Sequence, residues 1–446
     1  MRKSLCGIIW LAAMGAAPIL EPVAQIPSER AVEAPGAQTF DARARAEAMA
    51  RIKAQIRASY VYPERTEQLV QRLSTAEKSG RYDTADASVF ADRVTEDLQA
   101  DTRDSHLYLH YDPQWFASAQ NAPPDDADER QIEIERDIAR HTNHGLVEMR
   151  ILPGNIRYLK IEGFGWVADE TGPAYDAAMH FVKDGRAIIL DLRGNRGGWI
   201  QASKYLISHF LPPNTLIATF YSADGESEQY RAVDYLPSGR MGDRPAYLLI
   251  DGHSRSAAEM VAYTFQQYKL GELIGAKTEG AANVSDDFPV APGFRLSIST
   301  GRTVQPISHG DWEGVGIAPT VPTDPARALE VAQLRAIDRL LPATPEGVPR
   351  FQLEWARPAI EAALHPAILS ETQLRQFAGE FGDVQTRISD HALWLHRPGR
   401  PASRLAPMTR DGLFQSLDNA TLRVKISRDH LDLLRLDPAY STRHAK

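Results

Sequence analysis

A chain of 446 residues is too long for one ordinary core, so two or three domains are expected. Hydrophobic content of 43% and charged content of 24% suit a soluble globular protein. The net charge of −8, from 50 Lys+Arg against 58 Asp+Glu, leaves no basic footprint for nucleic acid, and no long like-charge run points to a polyelectrolyte partner.

The chain begins with Arg2 and Lys3, an apolar stretch from Leu5 to about Leu20, and small residues at Ala16, Ala17 and Ala24. Basic, apolar, then small is the order of a secretory signal peptide, placed at residues 1–24. A single tethering helix is the alternative, but the apolar part is short for a membrane span. The expectation is export, to the periplasm or the outside, with no membrane span after cleavage. Cys6 is the only cysteine and lies inside this segment, so the mature chain would hold no disulfide, thiol nucleophile or cysteine zinc site. Any nucleophile must then be Ser, Thr, Lys or a carboxylate.

Residues 25–40 read as a flexible leader rich in Pro, Ala and Glu. Ala46, Met49, Ile52 and Ile56, then Leu69, Val70 and Leu73, then Phe90, Val94 and Leu98 recur at helical spacing. They predict three short helices, a bundle assigned to 40–115. A polar stretch covers 120–143. Beyond it, Leu146–Leu152 and Ile156–Ile161 flank Pro153-Gly154-Asn155 as a hairpin. Ala187–Leu192, Ala246–Ile250 and Leu273-Ile274 are apolar runs separated by helical stretches at 199–209 and 256–268. That alternation predicts an α/β core over 145–335. A helix at 352–364 and short alternating segments such as Ala392–Leu395 and Thr421–Ile426 predict a small β-rich C-terminal domain over 350–446.

Four segments carry candidate chemistry. Asp251-Gly252-His253-Ser254-Arg255-Ser256-Ala257-Ala258-Glu259 joins an apolar strand to a helix. A serine at that junction exposes its hydroxyl at the sheet end, beside free amides such as that of Ala257 and the positive end of a helix dipole. Ser256 or Ser254 as a plain helix cap is the competing reading. Asp191-Leu192-Arg193-Gly194-Asn195-Arg196-Gly197-Gly198 also ends a strand, and its paired glycines let main-chain amides approach a ligand. Asp104-Ser105-His106 supplies an imidazole. Asp311-Trp312-Glu313-Gly314-Val315-Gly316 supplies a carboxylate that could orient it or be an ordinary turn residue.

Together the four segments resemble the tail-specific, or carboxy-terminal-processing, serine peptidase family. The likeness is to its branch similar to tricorn core peptidase and interphotoreceptor retinoid-binding protein, over about 45–335. The resemblance implies a crotonase-like α/β core and a serine-type peptidase acting on peptide or protein substrates without cofactor or metal. It implies Ser256 as nucleophile, His106 as base, Glu313 as the base's support and Ser105 as an auxiliary hydroxyl. Gly197, Gly198 and Ala257 would form the oxyanion hole. Relatives with a serine–lysine dyad carry the lysine after the next strand; here Ala281 holds that place and Lys277 is offset. No peptide-binding PDZ insert is found between bundle and core. A non-catalytic binder of apolar ligands and a small-substrate esterase or amidase remain the alternatives.

Overall fold

Three amphipathic helices open the described chain: α1 (Ala42–Ser59), α2 (Pro63–Lys78) and α3 (Ala87–Thr102). The computed structural model describes residues 40–121, 124–437 and 441–446, so the expected signal peptide and leader lie outside it. Helix α1 starts where the Asp41 carboxylate accepts the Ala44 amide at 2.9 Å, and α3 starts at Asp86 in the same manner, accepting Ser88 and Val89. The predicted apolar positions face inward, except that Ala48 and not Ala46 is buried on α1. These faces pack on Val290, Phe294, Leu296 and Ile298.

Strand β1 (Tyr108–Tyr111) follows. After it come α4 (Pro113–Asn121) and α5 (Pro124–His141), so most of the polar stretch is helical. Arg136 and Arg140 of α5 pair with Glu170, which ties the C-terminal part of the helix down. Its Ile132, Ile134 and Ile138 are exposed.

The hairpin forms as β2 (Leu146–Leu152) and β3 (Ile156–Ile161). In order come α6 (Ala168–Lys183), β4 (Ala187–Asp191), α7 (Ile200–Ser208), β5 (Leu216–Ser222), β6 (Ser227–Arg231), β7 (Ala246–Ile250) and α8 (Ala257–Gln267). Then follow β8 (Glu272–Gly275), β9 (Val284–Val290), β10 (Phe294–Val304), β11 (Val321–Pro322), α9 (Ala328–Leu340) and α10 (Val348–Leu364). A six-stranded sheet runs β11-β8-β7-β4-β3-β2, parallel except for the antiparallel edge strand β2. Its strands β4 and β7 are wholly buried, which is why they read as unbroken apolar runs. One face packs on Tyr175, Met179, Leu206, Val261 and Phe265 of α6, α7 and α8; the other packs on Ala332, Ile337 and Leu353 of α9 and α10.

Beyond the predicted alternation there is a second, antiparallel sheet, β1-β10-β5-β6 with β9 on β10. It carries the helical bundle on one face. The C-terminal region is an eight-stranded antiparallel meander, from β12 (Gly379–Phe381) to β19 (Thr442–Ala445), closed over Phe381, Leu393, Leu395, Phe414 and Leu431. The architecture is thus mixed α/β, with N-terminal helices and a C-terminal β-rich sheet.

Candidate active site

Strands β4 and β7 are parallel neighbours, so their C-terminal turns lie side by side at one end of the sheet. Hydrogen bonds fuse the two turns. Asp251 Oδ1 accepts the Gly194 amide at 3.0 Å, the Arg255 amide donates to the Asn195 carbonyl at 2.9 Å, and Ser254 Oγ donates to the Leu192 carbonyl at 2.8 Å. Ser254 is fully buried among these bonds.

Ser256 stands just before α8 with φ 52° and ψ −118°, a conformation that costs a non-glycine residue about 1–3 kcal/mol unless its surroundings enforce it. Glu259, buried one turn on, enforces it. Its Oε2 accepts the Ser256 amide at 3.0 Å and the Ala281 amide at 2.8 Å; its Oε1 accepts Thr278 Oγ1 at 2.6 Å and the Gly280 amide at 2.7 Å. Burial pushes the Glu259 pKa up, and those four donors oppose the shift. The sequence had shown this glutamate in the S-A-A-E run but not that it pins the serine's turn to the 278–281 loop.

Gly197 presses on the same turn. A Cβ there would stand 2.7 Å from Ser256 Cβ, 2.9 Å from the Arg255 carbonyl and 3.0 Å from the Ala257 nitrogen, at φ 93°. Gly197→Ala is therefore expected to slow covalent labelling of Ser256 by about 100-fold or more through a misplaced nucleophile. Gly194→Ala, whose Cβ meets nothing within 4 Å, is the control. Equal labelling rates in the two variants would refute the contact.

The three expected amides separate. The Gly197 amide is not free, because it donates to Asn195 Oδ1 at 2.8 Å inside its own turn. Among the described residues, no acceptor takes the Gly198 or Ala257 amides. Gly198, at φ 130°, lies against Phe164, whose carbonyl would be 2.3 Å from an added Cβ. A small cavity of about 20 Å³ adjoins Ser256; Phe220, Met260, Val284 and Trp312 make its lining largely apolar, with Asn283 and Thr303 as polar members and Ala281 beside them.

His106 and Glu313 approach from other parts of the chain. Arg255 donates to the Ser105 carbonyl at 3.0 Å and to Ser105 Oγ at 3.1 Å, which ties the 105–106 segment to the residue next to Ser256. Glu313 Oε2 accepts the amides of Asn283 at 2.8 Å and Ala282 at 2.5 Å. Its Oε1 and His106 Nδ1 are both sealed from solvent without a partner. One donor atom each from Asp104, His106 and Glu313 lie within 4.8 Å of one another. Asp104, which the sequence reading did not select, is buried and accepts the His106 amide at 3.0 Å, Ser299 Oγ at 2.9 Å and Asn283 Nδ2 at 3.1 Å. This trio is also a donor set for a cation, although both Asp104 oxygens are already engaged.

Burial first, and the Asp104 charge second, push the Glu313 pKa up to about 8. Burial, then the Arg255 guanidinium, push His106 down to about 4. Lys277 is exposed, whereas Ala281 is buried and lines the Ser256 pocket.

Ser256 thus stands on a positive-φ strand-to-helix turn beside two open amides, and His106 and Glu313 lie together with Asp104. Residues 155–323 match peptidase family S41. The chain is 29% identical over 144 residues to a carboxyl-terminal-processing protease of Synechocystis, covering 32% of each protein. It is 26% identical over 200 residues to a carboxy-terminal-processing protease of Bartonella bacilliformis, covering 43% of each. The matched stretch thus spans well under half the length of these curated relatives. Among solved structures, a photosystem II D1 C-terminal processing protease is similar at TM-score 0.39 and 16% identity, over 70% of this chain and 98% of that one. The tricorn protease is similar at TM-score 0.39 and 12% identity, over 64% of this chain and 35% of that one.

Proposed function

We propose that this protein is an exported peptidase that cleaves peptide bonds through an acyl-enzyme at Ser256. The observation that carries the reading is Ser256 itself, a positive-φ serine held by Glu259 and Gly197 beside two open amides. His106 would take the hydroxyl proton as the oxygen attacks the substrate carbonyl, and would return it to the leaving amine. The Ala257 and Gly198 amides would hold the oxyanion, each such donor being worth about 3 kcal/mol. Water, activated by the same imidazole, would then release the acyl group. Glu313, once ionised, supports the imidazolium, and Asp104 and Asn283 hold this pair in place. Ser105 would act through Arg255, whose guanidinium its hydroxyl accepts.

The apolar pocket beside Ser256, about the size of one water, favours substrates with a small apolar side chain on the acyl side. That size also speaks against a bulky apolar ligand at this place, and so for the hydrolase over the binding protein. The same reading takes the core as crotonase-like, supported by the parallel sheet, its flanking helices and the family match. It takes the bundle, core and C-terminal meander as separate domains. Export rests on the Arg2-Lys3 start and the apolar stretch after it; among the described residues no helix is long and apolar enough to cross a membrane.

The test is labelling of the full chain with a fluorophosphonate probe, followed by peptide mapping. Modification at Ser256, suppressed by peptides with alanine on the acyl side, is expected. A folded sample that does not react would sink the peptidase reading in favour of a binding role.

A further inference from the structure

Strand β2 is the outer strand of the six-stranded sheet, and among the described residues nothing pairs with its free edge. Such an edge presents open amides and carbonyls, and natural proteins usually blunt it with charge, brevity or a covering segment. Here it is seven residues long, with Met149 (47% exposed) and Ile151 (62%) apolar on one face and Val147 (43%) in a bulge before them. The other face carries one acid and one base, Glu148 and Arg150, in an ion pair of 2.9 Å, with Arg150 over the Tyr158 ring at 4.4 Å. A bulge at Val147 leaves Glu148–Leu152 in regular register with β3.

We propose that β2 pairs antiparallel with β2 of a second copy of this chain, joining two six-stranded sheets across a twofold axis centred on Met149. The argument is one of register. Directly opposite residues in an antiparallel pair share a face, so a symmetric pair must centre on a residue. Centring on Glu148 sets Glu148 against Glu148 of the second copy, and centring on Arg150 sets arginine against arginine. Like charges directly opposite are unfavourable. Only the Met149 register places Glu148 opposite Arg150, twice by symmetry, while Met149 meets itself on the apolar face. The strand is self-complementary in charge and in hydrophobicity at one register.

Sedimentation equilibrium of the full chain over a wide concentration range tests this. The parent is expected to dimerise. Glu148→Arg and Arg150→Glu should each raise the dimer dissociation constant by at least about tenfold, since each turns two attractive pairs into repulsive ones. Mixing the two single variants should recover a mixed dimer, and the double variant Glu148→Arg/Arg150→Glu should recover its own. Both positions are exposed, and circular dichroism of each variant checks that it folds. A parent that stays monomeric overturns the proposal, whether the edge is free or covered by another part of the chain. So does a dimer that ignores both charge reversals, which would place the interface elsewhere.

Discussion

Ser256→Ala is expected to lower kcat by about 10⁵-fold or more on a cleaved peptide, while KM and the fold stay close to the parent's. The fold should survive because the turn is held through atoms that alanine keeps. The residue 256 amide still donates to Glu259, the Gly197 contact involves Cβ, and the positive φ is imposed from both sides. Loss of the hydroxyl as a helix cap costs at most about 1 kcal/mol. The residual rate would come from the open amides of Gly198 and Ala257 acting on a bound carbonyl. His106→Ala should fall nearly as far, because a serine without its base is a weak nucleophile. Steady-state kinetics with thermal melting of both variants is the measurement. A Ser256→Ala protein that still hydrolyses peptides at more than a hundredth of the parental rate would remove Ser256 as nucleophile, however well the turn is built.

Local pattern made the scaffold legible and left the network unseen. The β2–β3 hairpin, the buried strands β4 and β7 and the helix after Ser256 were readable because each owes its conformation to near neighbours in sequence: a Pro-Gly-Asn turn, an unbroken apolar run, a serine before a 3.6-residue repeat. Helix α5 was missed because, among its described side chains, the attachment is ionic, through Arg136 and Arg140 to Glu170, and Ile132, Ile134 and Ile138 are exposed. The second sheet was missed for a different reason. Asp286, Asp287 and Pro289 break the alternation of β9, and besides that neighbour the partners of β10 lie far away in sequence, at 108–111 and 219–222. The site divides in the same manner. Its glycines and serine announce themselves locally, whereas Asp104, Asn283, Ser299 and Glu313 meet only after the two sheets are in place. The direction of the Gly197 amide depends on one side chain, Asn195 Oδ1, which no spacing rule encodes.

Glu313→Gln is expected to move activity and stability in opposite directions, with both effects growing as pH rises. In the native protein the carboxyl is buried beside Asp104 and keeps its proton up to about pH 8, whereas in the unfolded chain it gives the proton up near its ordinary value of 4.5. Between those two values the native state binds more protons than the unfolded state, so stability falls with rising pH through that window and levels off above it. Glutamine matches the protonated form, can still accept the Ala282 and Asn283 amides, and carries no such penalty. Its melting temperature should therefore exceed the parent's at pH 9, by an amount corresponding to roughly 1–3 kcal/mol, and converge on it near pH 4.5. Activity runs the other way. The parental kcat/KM should climb as Glu313 ionises and comes to support the His106 imidazolium. The glutamine variant should lack that limb and lie about 100-fold or more below the parent at the alkaline plateau. The two readouts separate a supporting carboxylate from a merely structural one: a structural residue would lose stability on substitution and take activity down with it at every pH. Parallel melting curves across the range, or a variant whose rate profile keeps the alkaline rise, would show that the buried acid is not coupled to the base.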